Sequence, residues 1–164
     1  MAKDGRALLG DYCLENTAVL NIFSEIVKYA NSDLKFSFSP GPGIDTDINK
    51  GESDSETAQI SKLAEEADLF LCVVGESSGF GLETLSGAGC DRASIELPGA
   101  QREPIRILAS YGKPIVLIVL AGWALAIAQE SKFADAMLYC YYLGEVGAAV
   151  KNRALKLLEE MESH

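Results

Sequence analysis

The sequence predicts an α/β protein: a parallel sheet sandwiched between helices, with all 164 residues in a single domain. Three observations predict it. Apolar runs of strand length alternate five times with stretches whose apolar residues recur at helical spacing. The run 69–74 (LFLCVV) carries no polar alternation, as expected of a parallel strand covered on both faces. No repeat and no linker divides the chain.

Taken in order, residues 6–9 form a short first strand, closed by Gly10, Asp11 and Tyr12. Asn16 can cap a helix to about Ala30, with Val19, Ile22, Phe23, Ile26 and Val27 on one face. Residues 34–39 form a second strand, stopped by Pro40-Gly41-Pro42-Gly43. Ser53 and Glu56 make a capping-box pattern for a helix that turns Ile60, Leu63, Ala64 and Ala67 inward. Residues 69–74 are the third strand. A helix follows from near Glu103 to Ala109, with Pro104 confined to its first turn. Residues 115–120 are the fourth strand, rich in β-branched side chains. A short helix over 124–130, a fifth strand over 136–142 and a last amphipathic helix over 147–161 complete the pattern.

Composition excludes several functions. With 14 Lys and Arg against 24 Asp and Glu, the formal net charge is −10 and no basic stripe is present, which argues against nucleic acid as a partner. The longest apolar run, 115–128, is too short to span a bilayer and holds Gly122, so no membrane association is expected. The four cysteines lack metal-ligand spacing and the one histidine is His164, so no metal, no cofactor and no histidine-based triad is expected. Cys72 and Cys140 lie in apolar runs as core thiols; Cys13 and Cys90 lie in expected loops. Residues 1–5 lack an apolar segment behind them, so no signal peptide is expected, and a complete chain would be cytoplasmic.

The most informative stretch follows the third strand. From Ser77 to about Pro98 runs a long polar loop; five glycines fall between Gly75 and Gly89. Compact domains rarely keep so long a loop without a use for it, and it starts where open α/β sheets bind ligands. Val73-Val74-Gly75-Glu76, then Glu83, Asp91-Arg92, Leu97-Pro98-Gly99-Ala100-Gln101-Arg102-Glu103 and Gly112-Lys113-Pro114-Ile115-Val116 together resemble the C-terminal α/β domain of glycoside hydrolase family 3, which includes β-glucosidases and β-xylosidases. The resemblance covers roughly residues 6–147.

That resemblance implies a flavodoxin-like, three-layer α/β/α fold with five parallel strands in the order 2-1-3-4-5, and no cofactor. It implies carbohydrate as the ligand. Glycoside hydrolysis uses two carboxyl groups, one protonating the leaving oxygen and the other, in retaining enzymes, attacking the anomeric carbon from roughly 5–5.5 Å away. In the family the nucleophile is an aspartate on a separate N-terminal barrel, and the acid/base is a glutamate on this loop. Glu83 matches that glutamate by spacing, and Glu76 is the second candidate, with a ligand or loop-pinning role as its other reading. Asp91 and Arg92 resemble the family's Asp-Arg pair, either ordering the loop or facing substrate. Trp123 is a candidate sugar-stacking platform or a packing residue, and Asp11 is a weaker binding candidate.

The sequence also departs from the family. Gly144-Glu145-Val146-Gly147-Ala148 replaces a more glycine-rich run, and residues 151–164 read as a plain helix where an Asn-Pro-Ser-Gly segment is usual. The expected partners are therefore a carbohydrate and a barrel supplied in trans, with a homodimer through the strand ends as a further expectation; the alternative function is a noncatalytic carbohydrate-binding or assembly module. Alone, the chain is expected to be inactive.

Overall fold

A computed structural model describes residues 2–3, 8–9, 21–30, 33–42, 53–78 and 92–144. Along these the elements are α1 (Ile22–Tyr29), α2 (Ser53–Glu66), β1 (Phe70–Gly75), α3 (Arg102–Ala109), β2 (Ile115–Leu120), a 3-10 helix (Glu130–Phe133) and β3 (Ala136–Cys140). The strands form one parallel sheet in the order β1-β2-β3. Phe70 pairs with Ile115 and Gly75 with Leu120; Val116 pairs with Ala136 and Leu120 with Cys140.

The pattern of burial explains the sheet. All six residues of β2 are buried, because a central strand covered by helices needs apolar side chains on both faces. On one face, Ile118 and Leu120 pack with Leu8, Ile22, Ile26 and Cys140. On the other, Leu117 and Val119 pack with Val74, Leu97, Ile105, Leu125 and Ile127. A third cluster joins Ala64, Phe70 and Ile115 at the amino ends of the strands. There Lys113 Nζ donates to the carbonyls of Ala64 (2.8 Å) and Glu65 (3.0 Å), capping the end of α2.

Several expected elements differ. The first helix begins at Ile22, because Asn21 has extended backbone and its Oδ1 accepts from Ser24 N at 2.8 Å; Asn16 lies outside the described residues. Val27, expected on the inner face of that helix, is exposed. Residues 34–40 belong to no strand; they line a cleft of about 1240 Å³ with Leu69, Leu71 and Val73. Of the expected first strand, Arg6 and Ala7 lie outside the described residues, and Leu8 and Leu9 belong to no strand. No α-helix forms over 124–130. The amides of Leu125 and Ala126 donate to Tyr139 Oη and the Ile95 carbonyl rather than along a helix, and only a single 3-10 turn follows. The last expected helix and the expected loop over 79–91 lie outside the described residues, and Ser53 is the first residue of α2 rather than ahead of it. Pro104 sits third in α3, within the first turn, where its missing N–H costs no helical bond.

Candidate functional site

The carboxyl ends of the three strands are fastened by two sets of side chains. At the end of β1, Gly75 has φ 143°, and a Cβ there would fall 1.8 Å from the Leu120 carbonyl oxygen, so only glycine permits this approach. Gln101 then closes the strand end. Its Oε1 accepts from Gly75 N at 2.9 Å, and its Nε2 donates to the carbonyls of Gly75 (2.7 Å) and Pro98 (2.9 Å). Glu76 N donates to Leu120 O at 2.9 Å, extending the ladder by one step.

The side chain of Glu76 is fully buried, and a buried carboxylate needs a cation and hydrogen bonds to remain ionised. Arg92 provides one, with Nη1 3.1 Å from Glu76 Oε2 and Nη2 donating to the Glu96 carbonyl at 2.8 Å. The ion pair therefore ties Glu76, where the chain leaves β1, to Arg92, where the described chain resumes. Glu96 is bridged to Ala126, and its carboxylate meets Arg102 Nη1 at 3.2 Å. Arg102 Nε stands 2.5 Å from buried Glu130 Oε1, as a charge contact whose N–H is not aimed at the oxygen.

At the ends of β2 and β3 the fastening is aromatic. Ala121 N donates to Cys140 O at 3.1 Å. Gly122 lies against the Tyr142 ring, where a Cβ would meet ring carbon Cε2 at 2.6 Å. The Tyr139 hydroxyl donates to Trp123 O at 2.5 Å and accepts from Leu125 N at 2.9 Å. Burial holds the Tyr139 phenol above its ordinary pKa, with the nearby Glu76 and Tyr141 adding to the shift and the Leu125 amide opposing it. Trp123 is 38% exposed and Tyr141 58%.

Of the residues predicted from sequence, the structure brings Glu76 and Arg92 together and places Trp123 at the end of β2. Glu83, Asp91 and Asp11 lie outside the described residues. Sequence reading missed Gln101, Glu130 and Tyr139 as site residues. Gln101 was visible within the Leu-Pro-Gly-Ala-Gln run, but its partner Gly75 is 26 residues away. Among the described residues no group of three His, Cys, Asp or Glu could hold a metal ion, and no helix is long and apolar enough to cross a membrane.

Residues 1–154 match the glycosyl hydrolase family 3 C-terminal domain. The chain belongs to this family. It is 39% identical over 86 residues to a periplasmic beta-glucosidase of Salmonella typhimurium, covering 52% of this chain and 11% of that protein. It is 27% identical over 146 residues to a beta-xylosidase of Formosa agariphila, covering 88% of this chain and 19% of that one. The fold matches the crystal structure of a beta-glucosidase from Listeria innocua in complex with isofagomine (TM-score 0.69, 19% identity, 92% of this chain, 20% of that one). It also matches a family 3 exo-beta-xylosidase in complex with a xylobiose aziridine probe (TM-score 0.73, 21% identity, 92% of this chain, 18% of that one). The chain thus spans a fifth or less of the length of these relatives, the part formed by this one domain.

Proposed function

We propose that this family 3 domain supplies the acid/base and part of the sugar-binding surface for hydrolysis of β-glucosidic or β-xylosidic bonds, completed by a barrel that carries the nucleophile. The observation that carries the reading is the Glu76–Arg92 ion pair, which ties Glu76, where the chain leaves β1, to Arg92, beyond the expected loop. Glu83, on that loop, is the acid/base. Glu76 has no exposed surface, which suits an anchoring role, and Asp91 belongs with Arg92 in ordering the loop. Trp123 offers its indole face to a pyranose, and Asp11, which follows the expected first strand in sequence, is a further binding candidate. The partner is a carbohydrate, and the exposed strand-end aromatics are the face offered to the barrel; without a barrel, that face pairs two copies.

The complete sheet follows the order 2-1-3-4-5. In that order the first strand would neighbour β1, and residues 34–40 border a cleft shared with β1.

The test uses activated aryl β-glucosides and β-xylosides. The 164-residue chain alone is expected to give no turnover, since one carboxyl group cannot form and resolve a glycosyl-enzyme intermediate. Fused to a family barrel it gains turnover, and Glu83→Gln lowers this by about 100-fold or more. A fusion indifferent to Glu83→Gln overturns the assignment and leaves a noncatalytic module.

A further inference from the structure

An exposed tryptophan normally sits on backbone free to adjust, but the turn that carries Trp123 is held on every side. Ala121 is bonded to Cys140, Gly122 is closed in by the Tyr142 ring, and Ala126 N donates to Ile95 O at 2.7 Å. The central fastening is Tyr139, whose hydroxyl both donates to the Trp123 carbonyl and accepts from the Leu125 amide. Its ring packs against the buried cluster of β2 and lies 5.6 Å from the ring of Tyr141. A phenol is suited to this task, since one oxygen can satisfy a carbonyl and an amide two residues apart while the ring stays in the core. The stiffness is concentrated beneath a side chain that is itself not packed away. A stacking surface benefits from this arrangement, because a platform fixed before binding loses little freedom when a ring settles on it.

We propose that Tyr139 is a positioning residue: its hydroxyl clamps the Trp123 turn so that the indole stands ready to stack a pyranose ring at the carboxyl edge of the sheet. The pyranose as ligand rests on the function proposed above; the clamp does not. Trp123 is the sole tryptophan, so its emission and indole N–H resonance report on the turn alone.

The probes are methyl β-D-glucopyranoside and methyl β-D-xylopyranoside. Their binding to the full chain is followed by the indole resonance and by saturation transfer to the sugar. The wild type is expected to bind one or both saturably, and Trp123→Ala to abolish binding. Tyr139→Phe keeps the ring, removes both hydrogen bonds, and is expected to weaken binding about fivefold to tenfold and to lower the indole's fluorescence anisotropy. A purely structural tyrosine would lower the melting temperature and leave sugar affinity unchanged. If Tyr139→Phe binds sugar as the wild type does while Trp123→Ala does not, the platform stands and the clamp is overturned. If the wild type binds neither sugar, or Trp123→Ala binds normally, the platform reading is overturned. Should Tyr139→Phe fail to fold, the wild type itself gives the test: the clamp requires slow exchange of the Leu125 amide and an immobilised indole before any sugar is added, and a fast-exchanging Leu125 amide with a freely reorienting indole overturns it.

Discussion

Strands β1 and β2 lie side by side in register, and each chain segment leaves the sheet through a glycine in a crowded place, yet the two glycines are crowded by different things. Gly75 meets main chain: the Leu120 carbonyl occupies the space a Cβ would need. Gly122 meets the edge of the Tyr142 ring. Beyond Gly75 the chain is held by a buried ion pair and by Gln101, and beyond Gly122 by a phenol hydroxyl. Main chain in a parallel ladder cannot yield without breaking strand pairing, whereas a ring can rotate by a few degrees. The end of β1 is therefore held by main chain and a buried charge pair, and the end of β2 by side chains: the Tyr139 hydroxyl fixes the turn and the Tyr142 ring closes over Gly122.

The sharpest way to break this comparison is to add one methyl group at each glycine. Gly75→Ala should cost more than about 4 kcal/mol, enough to abolish a cooperative urea transition. The cost combines a clash with Leu120 O and a φ of 143° that side-chain-bearing residues rarely adopt. Gly122→Ala should cost about 1 kcal/mol, the price of moving one ring. Equal losses at the two sites would mean that Tyr142 is as rigid as the ladder.

Next in size is the ion pair. Arg92→Met removes the cation facing a carboxylate with no exposed surface and should cost about 3 kcal/mol by chemical denaturation. Arg92→Lys should recover only part of this, since one ammonium cannot reach both Glu76 and the Glu96 carbonyl in Arg92's forked geometry. Adding Glu76→Gln to Arg92→Met should restore at least half of the loss, because the buried charge is then gone. A double-mutant cycle with no coupling would show that Arg92 acts on the loop without acting through Glu76.

These contrasts also explain how much could be read from sequence. The strands β1, β2 and β3 were legible within a residue or two because each is a short apolar run, and β2 was legible at both ends. Glu76 and Arg92 were singled out for their places around the expected loop, but their pairing with each other carries no local sign in the sequence. Residues 124–130 were misread as helical because their apolar residues suit a helix, while the groups that take their amides, Tyr139 Oη and Ile95 O, come from distant parts of the chain. Gln101 and Glu130 escaped for a similar reason: a polar residue near apolar ones gives no local sign that a strand end or a guanidinium is waiting 26 or 28 positions away. Tyr139 was hidden by its own dual nature, since within the run Ala136–Cys140 it reads as one more core residue.

The smallest effects probe the tyrosine clamp. Tyr139→Phe should cost about 1–2 kcal/mol at neutral pH, for two hydrogen bonds at a partly buried hydroxyl. That difference should itself depend on pH. Folding raises the Tyr139 pKa above its unfolded value near 10, so the folded state keeps the phenolic proton longer than the unfolded state does. The tyrosine's contribution is then fully present below about pH 10 and is lost as pH rises through the folded value. The buried thiols titrate in the same window, Cys72 pushed up to about 12 and Cys140 to about 11, both by burial. Both proteins carry them, so their contribution cancels in the comparison. Denaturation of the wild type and Tyr139→Phe from pH 8 upward should therefore give two falling curves that converge above about pH 10. Curves that stay parallel would mean the hydroxyl contributes nothing that depends on its proton, and that the end of β2 is held by packing of the rings alone.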